Sequence, residues 1–437
     1  MESKSSAAGE QASPATATAG ATAAAAAPPG TDGTITAATA VWVGLACLAA
    51  AMGIGRFSFT PMLPLMQQDA GLSLAAGGWL ASANYLGYLI GALICINAAP
   101  APVRAIRWGL VTIGASTLAM GLIHAFIPWA LLRLIAGAAS AFVLVGVSAW
   151  ALPLLGQLKQ SHKAGGVFAG VGSGICLAGV VGLLAGIGNW GSTVTWLVLG
   201  VLATLAVALV WVPLAPRGPA PAVWPGAASL GVPAAAPAGA APAGPARPPR
   251  APLGRAAWIA AACYGAFGYG YIIPATFLPA QARSYIGDPA VFGWVWPLFG
   301  IAAALSTVLV SRLTPRYPQR AIWAASQWVM AAGVIAPVFT VNGFTLVLAA
   351  LAVGGTFMVA TMAGTQEARR LGGAQGPRLI ALNTAAFAAG QIAGPLTVSL
   401  FPAGAHALFW PSVIAALVLV ASSLVLSMTA RDAVTPP

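Results

Sequence analysis

The chain has 437 residues, of which 59% are hydrophobic and only 6% are charged. A soluble domain carries about 25% charged and about 45–50% apolar residues, so this composition excludes an ordinary soluble globular protein and predicts a polytopic helical membrane protein. The charge is unbalanced, with 19 Lys and Arg against 7 Asp and Glu and a net charge of +12, which would indicate nucleic-acid binding only if the cations lay on a soluble surface.

Residues 1–35 consist mainly of Ala, Thr, Ser, Pro and Gly, which predicts a disordered cytoplasmic tail. Twelve apolar segments of membrane-spanning length follow, since a span needs about 20 apolar residues. The predicted spans lie near 37–66, 72–97, 105–123, 126–155, 164–188, 193–213, 256–282, 289–311, 320–340, 343–364, 378–400 and 406–429.

The twelve segments form two sets of six, separated by residues 213–254. This stretch holds twelve of the chain's 34 prolines, and such a density blocks both helix and sheet. We therefore predict a cytoplasmic linker between an N-terminal six-helix bundle at 36–212 and a C-terminal six-helix bundle at 255–430, with a cytoplasmic tail at 431–437. Halves of nearly equal length indicate an internal duplication.

The cations fix the expected orientation. With the amino terminus inside, sixteen of the 19 cations fall on the inner side, and the outer loops hold only Arg283. Arg56 and Arg133 lie within membrane segments. By the positive-inside rule, both termini are predicted to be cytoplasmic, and the charge reports topology rather than nucleic-acid binding.

A short pattern recurs once in each half. Gly53, Gly55 and Arg56 precede Pro64 in the first segment, and Gly268, Gly270 and Tyr271 precede Pro279 in the seventh, at a constant offset of 215 residues. If a two-fold axis along the membrane normal relates the halves, Arg56 and Tyr271 face each other across a central cavity. A guanidinium with five donors and a phenol with one suit a small anion such as a carboxylate.

Two interpretations of each intramembrane arginine stay open. Arg56 either binds substrate in the cavity or has a structural role, snorkelling to the outer interface. Arg133 either lines the cavity or hydrogen-bonds a neighbouring helix or backbone carbonyl. No acid lies at mid-membrane, so a proton relay has no carboxylate candidate, and Glu367 is predicted to pair with Arg369 or Arg370 at the inner interface.

Other polar residues and several small residues complete the predicted site. The predicted substrate-binding set is Arg56, Tyr271, Asn84, Tyr88, Gln391 and Arg133. The predicted gating and packing set is Gly174, Gly179, Gly394 and Pro395, because small residues permit close helix packing and proline permits bending. The four cysteines and three histidines show no metal or redox spacing, and we predict no metal and no cofactor.

These motifs resemble the major facilitator superfamily, and specifically its YbfB-like branch. The resemblance rests on residues 53–66 (GIGRFSFTPMLPLM), 71–73 (GLS) and 81–92 (ASANYLGYLIGA), and on Arg133 with Gly137, which is similar to the superfamily's fourth-helix motif. It implies two six-helix bundles, alternating access and a location in the bacterial inner membrane.

The chain also departs from the superfamily's patterns. Residues 97–107 (NAAPAPVRAIR) lack the aspartate and first glycine of the usual loop between the second and third helices. The fifth segment has Gly174 and Ile175 where antiporters carry Gly-Pro. The spacing from Arg56 to Pro64 resembles sugar-phosphate antiporters, but Tyr271 replaces their second arginine, which favours a monoanion over a doubly charged phosphate ester.

The sequence therefore predicts an all-α secondary active transporter of a small organic anion or metabolite, acting as a monomer in the lipid bilayer. An exporter of neutral or amphiphilic compounds is the alternative, since Tyr and Trp residues recur in the spans. A membrane sensor is a further alternative, although no soluble signalling domain is recognisable. No catalytic triad, metal motif or phosphate-binding loop indicates an enzyme.

Overall fold

Long apolar segments must satisfy their backbone hydrogen bonds internally in lipid, and helices do so. The computed structural model describes residues 35–98, 100–214, 253–313, 317–402 and 407–431, and all regular structure in those ranges is helical. Twelve helices there are long and apolar enough to cross a membrane. We number them α1 to α12, at Ala37–Asp69, Leu74–Ala98, Pro102–Leu122, Phe126–Gln157, Ala164–Ile187, Ser192–Trp211, Arg255–Tyr285, Val295–Leu313, Gln319–Phe339, Gly343–Gly372, Gly376–Val398 and Phe409–Arg431.

The number and order of the predicted spans are confirmed. A four-residue helix at Pro289–Phe292 leads into α8. Helix α10 continues to Gly372, well past the predicted end near residue 364, so Glu367 lies on the helix itself. Most of the predicted tail at 1–35, of the linker at 213–254 and of the tail at 431–437 lies outside the described residues.

Helix α1 is not a regular α-helix throughout. Its central part, Ala49–Phe57, is a π-helix that contains Gly53, Gly55 and Arg56. A turn at Ser58 leads to the final α-helical part, Phe59–Asp69. Wide turns of this kind are rare and occur frequently at functional sites, so the backbone singles out the same residues as the sequence repeat.

The helices pack with an approximate two-fold relationship. Within the first six, α2 packs on α4, α3 packs on α4 and α6, and α1 packs on α5. The corresponding contacts recur six helices later, where α8 packs on α10, α9 packs on α10 and α12, and α7 packs on α11. Between the halves, α5 packs on α8, α2 on α11 and α1 on α7. The two-fold relationship maps the α5–α8 contact onto the α11–α2 contact, and it maps the α1–α7 contact onto itself.

Two contacts join residues that the offset of 215 makes equivalent. The Thr60 hydroxyl donates to the Ala275 carbonyl at 2.7 Å, and Arg283 Nη2 donates to Gln68 Oε1 at 2.7 Å. Equivalent residues can touch only near the axis that relates them. These contacts on α1 and α7 therefore support the duplication that the sequence predicts, and the described residues from Thr36 onward belong to one compact unit.

Glycines allow the closest helix crossings. A Cβ added to Gly174 in α5 would lie 2.2 Å from the Ala49 carbonyl oxygen in α1, and one added to Gly53 would lie 2.2 Å from the Gly174 carbonyl carbon. Backbones in lipid approach this closely only where side chains are absent, and the gain is van der Waals contact along the crossing. The start of the π-helix therefore packs directly against the backbone of α5.

The other predicted packing residues also lie at helix contacts. A Cβ on Gly179 would meet Pro297 of α8 at 2.6 Å, and one on Gly394 would meet the Ile272 side chain of α7 at 2.3 Å. The Pro395 carbonyl oxygen in α11 lies 2.8 Å from where a Cβ on Gly78 of α2 would be. Gly179 and Pro395 therefore lie between the halves, whereas Gly394 lies within the second half.

Candidate functional site

The site is built around Arg56, at the end of the π-helix in α1. The side chain is only 3% exposed, so it does not reach the outer interface. An arginine near the centre of a membrane helix costs roughly 2.5–3.5 kcal/mol on insertion scales, and its surroundings must offset that cost. The geometry thus removes snorkelling as an explanation and leaves an interior position.

Aromatic faces and one amide oxygen surround the Arg56 guanidinium. Its Cζ lies 4.1 Å from the ring centroid of Tyr88 and 5.3 Å from that of Tyr85, both in α2. Its Nη2 donates to Oε1 of Gln391 in α11 at 2.6 Å. Ring faces attract a cation through their quadrupole, so the charge is partly stabilised without any carboxylate.

Gln391 connects the two repeat residues. Its oxygen accepts from Arg56, and its Nε2 donates to the Tyr271 hydroxyl. Gln391 is completely buried and Tyr271 is 2% exposed. Arg56 and Tyr271, which occupy equivalent positions in the halves, are therefore linked through one glutamine rather than through a contact of their own.

Arg133 holds the backbone around Arg56. From α4, its Nη1 donates to the Gly55 carbonyl at 3.2 Å and its Nη2 to the Arg56 carbonyl at 2.8 Å. These carbonyls end the π-helix shortly before Pro61, which has no N–H to offer. Of the two interpretations of Arg133, the structure shows the hydrogen bond to backbone carbonyls of a neighbouring helix.

Asn84 fixes the crossing of α2 and α4. Its Nδ2 donates to the Arg133 carbonyl at 2.8 Å and to the Gly55 carbonyl at 3.4 Å. The crossing is tight because a Cβ on Gly137 would lie 2.0 Å from the Asn84 carbonyl oxygen. The glycine of the fourth-helix motif thus brings Arg133 and Asn84 against α1.

Several buried polar atoms at this site have no hydrogen-bond partner among the described residues. They are Arg56 Nε, Arg133 Nε and Asn84 Oδ1. Leaving a buried polar group unsatisfied costs about 1–3 kcal/mol, and native structures rarely tolerate it without a reason. Two unsatisfied donors and one unsatisfied acceptor therefore belong to residues of this polar cluster.

An aromatic wall from the second half adjoins the polar cluster. The Tyr271 ring stacks on Phe357 of α10 and on Phe387 of α11, with centroids 5.6 Å apart in each pair. Phe57, next to Arg56, meets Phe357 edge-on at 6.2 Å. The arrangement offers apolar, flat surfaces beside a cationic group.

Glu367, the acidic residue predicted to pair with an arginine, lies outside the polar cluster around Arg56. Glu367 in α10 is 1% exposed on its side chain and pairs with Arg370 at 2.8 Å, as predicted, and also with Arg320 Nε of α9 at 3.1 Å. Both described ion pairs use this one glutamate. Within the described ranges, Arg56 and Arg133 form no ion pair, and no group of metal-ligating residues occurs.

The structure brings together all six predicted substrate-site residues. One chain of contacts joins Tyr88, Arg56, Gln391 and Tyr271. Arg133 and Asn84 hydrogen-bond to the backbone of α1 next to Arg56. Sequence reasoning did not find Phe357 or the pairing of Arg320 with Glu367, since nothing in the chain order joins α10 to α1 or to α9. It also missed the contact of Thr60 with Ala275, although the offset of 215 would have found it.

The fold and the site together define a membrane transporter of the major facilitator type. The sequence profile described as "Uncharacterised MFS-type transporter YbfB" matches residues 48–427. The chain belongs to this family of transporters, and it is a multi-pass transporter rather than an enzyme.

Relatives agree with this membership. The chain is 32% identical over 151 residues to the "Uncharacterized MFS-type transporter YceJ" of Bacillus subtilis (strain 168), and the match spans 33% of this chain and 36% of that relative's length. The fold resembles the crystal structure of the nucleoside transporter NupG in a mutant form (TM-score 0.65, 15% identity, 90% of this chain and 100% of that chain). A second NupG structure gives a TM-score of 0.63 at 15% identity, over 89% of this chain and 98% of that one. At this identity the likeness establishes the fold.

Proposed function

We propose that the protein is a secondary active transporter of a small organic monoanion, with Arg56 as the charge partner of the substrate. The observation that carries the proposal is a buried guanidinium with no carboxylate partner among the described residues and with an unsatisfied Nε. A carboxylate would supply both the missing charge and the missing acceptor. Tyr271, Tyr88 and Gln391 then shape the site around the anion.

Transport proceeds by alternating access between the two halves. The hydrogen bonds that join the halves in the described residues run from Arg56 toward the end of α1 that carries Asp69, and they include Ser82 to the Ile392 carbonyl and Tyr85 to Thr276. The bonds of Ser82 and Tyr85 are neutral and contribute about 0.5–1.5 kcal/mol each, and the bond of the charged Arg56 contributes about 1.5–3 kcal/mol, so all three can break and re-form in each cycle. The position of these bonds supports a state that is closed at that end.

The protein lies in the bacterial plasma membrane as a monomer, with both termini cytoplasmic, so the closed end faces outward. The positive-inside distribution of the cations supports this orientation. Single cysteines at His124 and Lys159, both exposed, test it. An impermeant thiol reagent added to intact cells should label His124→Cys and not Lys159→Cys. The reverse labelling would contradict the orientation.

Ligand binding by the purified full-length protein tests the substrate class. Acetate, pyruvate and benzoate are compared with glycerol 3-phosphate and with uridine, using the rise in unfolding temperature that a ligand produces. A monocarboxylate should stabilise the wild type. Arg56→Ala should weaken its binding by about 10–100-fold, because a hydrogen bond to a charged group contributes about 1.5–3 kcal/mol.

Two further variants sharpen this test. Arg56→Lys keeps the charge but loses the planar fork, so it should bind the carboxylate more weakly than the wild type. Arg104 is exposed in the first turn of α3, far from the site. Arg104→Ala should therefore bind the carboxylate as the wild type does. Uptake of the stabilising compound into proteoliposomes should follow the same order. Equal binding and uptake in all four proteins would contradict the proposal.

The alternative is export of neutral or amphiphilic compounds, and the aromatic wall of Tyr271, Phe357 and Phe387 favours it. Aromatic rings can stack on the flat apolar groups of a neutral ligand, which needs no charged partner. Uridine is an informative neutral probe, since the structural neighbour NupG is a nucleoside transporter. If uridine stabilises the protein, Arg56→Ala leaves that effect unchanged and carboxylates have none, this alternative replaces the first.

A further inference from the structure

We propose that the side-chain oxygen of Gln391 occupies the place of one substrate oxygen, so that the substrate binds by displacing Gln391 from Arg56. This inference rests on the proposed function and refines the substrate class. The displaced oxygen and the unsatisfied Nε define a site for a planar group with two oxygens, which is a carboxylate. Gln391 is then a competitor built into the protein rather than a ligand of the substrate.

The covalent geometry of arginine carries the first step. In a guanidinium, Nε–H and one N–H of Nη2 point in the same direction and form one edge of the fork. A carboxylate binds that edge with two parallel hydrogen bonds. In Arg56, Nη2 donates to Gln391 Oε1 at 2.6 Å, while Nε has no hydrogen-bond partner in the described residues. In the proposed arrangement the amide oxygen lies on this edge, where it supplies one oxygen and the edge accommodates two.

The strength of the two acceptors sets the order of events. The bond from the guanidinium to the amide oxygen has one ionised partner, whereas a bond to a carboxylate has two and adds their Coulomb attraction. A carboxylate that reaches the edge gains the second bond as well as the charge. Gln391 therefore serves as the acceptor for Nη2 when no substrate is bound, and it gives way to the stronger acceptor.

Gln391 belongs to the half opposite Arg56, and this links binding to conformational change. Its Nε2 donates to Tyr271 of α7. Helix α11 also packs closely against α7 at Gly390, where an added Cβ would lie 2.3 Å from the Gly265 carbonyl oxygen. The Arg56–Gln391 bond thus fastens α1 to the second half. Displacing Gln391 releases that fastening at the moment when the substrate takes its place.

The sign of an affinity change tests the inference. Acetate is the probe, and acetamide, which has the same shape without charge, is the matched control ligand. In the purified full-length protein, Gln391→Leu removes the competing oxygen and should bind acetate about tenfold more tightly than the wild type. Gln391→Glu puts a carboxylate on the same edge, so it should abolish acetate binding and raise the unfolding temperature.

Companion variants keep the test interpretable. Gln327→Leu exchanges another completely buried glutamine, in α9, and should leave acetate affinity unchanged. Gln391→Asn withdraws the oxygen by one methylene without burying an extra apolar group, so it should also tighten binding if Gln391→Leu fails to fold. Arg56→Ala should lose the acetate response in every background.

The outcomes separate this inference from the proposed function. Tighter acetate binding in Gln391→Leu or Gln391→Asn, lost again with Arg56→Ala, supports both. Weaker binding in the Gln391 variants, with dependence on Arg56 preserved, overturns the inference and leaves the proposed function standing, because Gln391 then holds the substrate directly. Acetate binding in none of the proteins, or binding that survives Arg56→Ala, contradicts the proposed function and the inference with it.

Discussion

The guanidinium of Arg56 and the amide of Gln391 meet at 2.6 Å, although the two residues are 335 positions apart in the chain. One lies in the π-helical part of α1 and the other in α11, so the bond joins the two halves of the transporter. Both side chains are buried, at 3% and 0% exposure. A permanent positive charge is therefore held between the halves by a neutral side chain.

Arg133 is expected to position Arg56 rather than to bind substrate. Arg133→Lys replaces two separate Nη donors by one ammonium on a differently shaped side chain, so the hydrogen bonds to the Gly55 and Arg56 carbonyls are weakened. We expect a loss of about 1.5–3 kcal/mol in unfolding free energy and weaker carboxylate binding. Thermal unfolding with and without acetate measures both. Wild-type stability in Arg133→Lys would contradict this role.

The crossing of α1 and α5 should not tolerate any side chain at Gly174. Gly174→Ala places a methyl group 2.2 Å from the Ala49 carbonyl oxygen, so the helices must separate, and overpacking typically costs about 1–3 kcal/mol. Gly355→Ala in α10 is the matched control, since its nearest neighbour lies at 3.9 Å. The control should be neutral or slightly stabilising because alanine favours helix. Unfolding temperatures compare the two, and equal values would contradict the close packing of α1 on α5.

Glu367 should be worth more to stability through Arg320 than through Arg370. Arg320 and Glu367 are both almost completely buried, whereas Arg370 has 57% of its side chain exposed. Removing one partner of a buried pair strongly destabilises a protein, by about 3–5 kcal/mol, while exposed pairs contribute about 0–1 kcal/mol. Arg320→Gln should therefore lower the unfolding temperature clearly and Arg370→Gln only slightly. The opposite ranking would be incompatible with this assignment.

Arg283 is expected to hold the Asp69 end of the molecule closed. From α7 it donates to the Pro64 carbonyl and to Gln68 Oε1 of α1, and cavities of about 470 and 410 Å³ adjoin it. Arg283→Ala should speed hydrogen–deuterium exchange at the Asp69 end of α1 and the Tyr285 end of α7, because local opening needs fewer broken bonds. Arg255→Ala, at the exposed opposite end of α7, should not. Similar exchange rates in both variants would show that Arg283 does not hold this end of the molecule closed.

Much of the fold followed from one-dimensional patterns. Segment lengths, the proline-rich linker and the placement of cations depend only on hydrophobicity and charge along the chain, and twelve spans are found near the predicted positions. The equivalence of Arg56 and Tyr271 came from a repeat that the contact of Thr60 with Ala275 supports. The π-helix in α1 could not be foreseen, because the apolar pattern of residues 49–57 does not distinguish a π-helix from an α-helix.

The sequence by itself determined that this protein spans a membrane, how its helices follow one another, and that two arginines lie where charge is costly. These properties depend on the hydrophobicity and charge of residues that are close together in the sequence. Only the tertiary structure showed that these two arginines have different kinds of partner. Arg133 reaches two backbone carbonyls of α1, whereas Arg56 reaches one side-chain oxygen and keeps an unsatisfied Nε. That difference depends on partners from α1 and α11, and no local pattern in the chain encodes the distances between helices so remote in sequence.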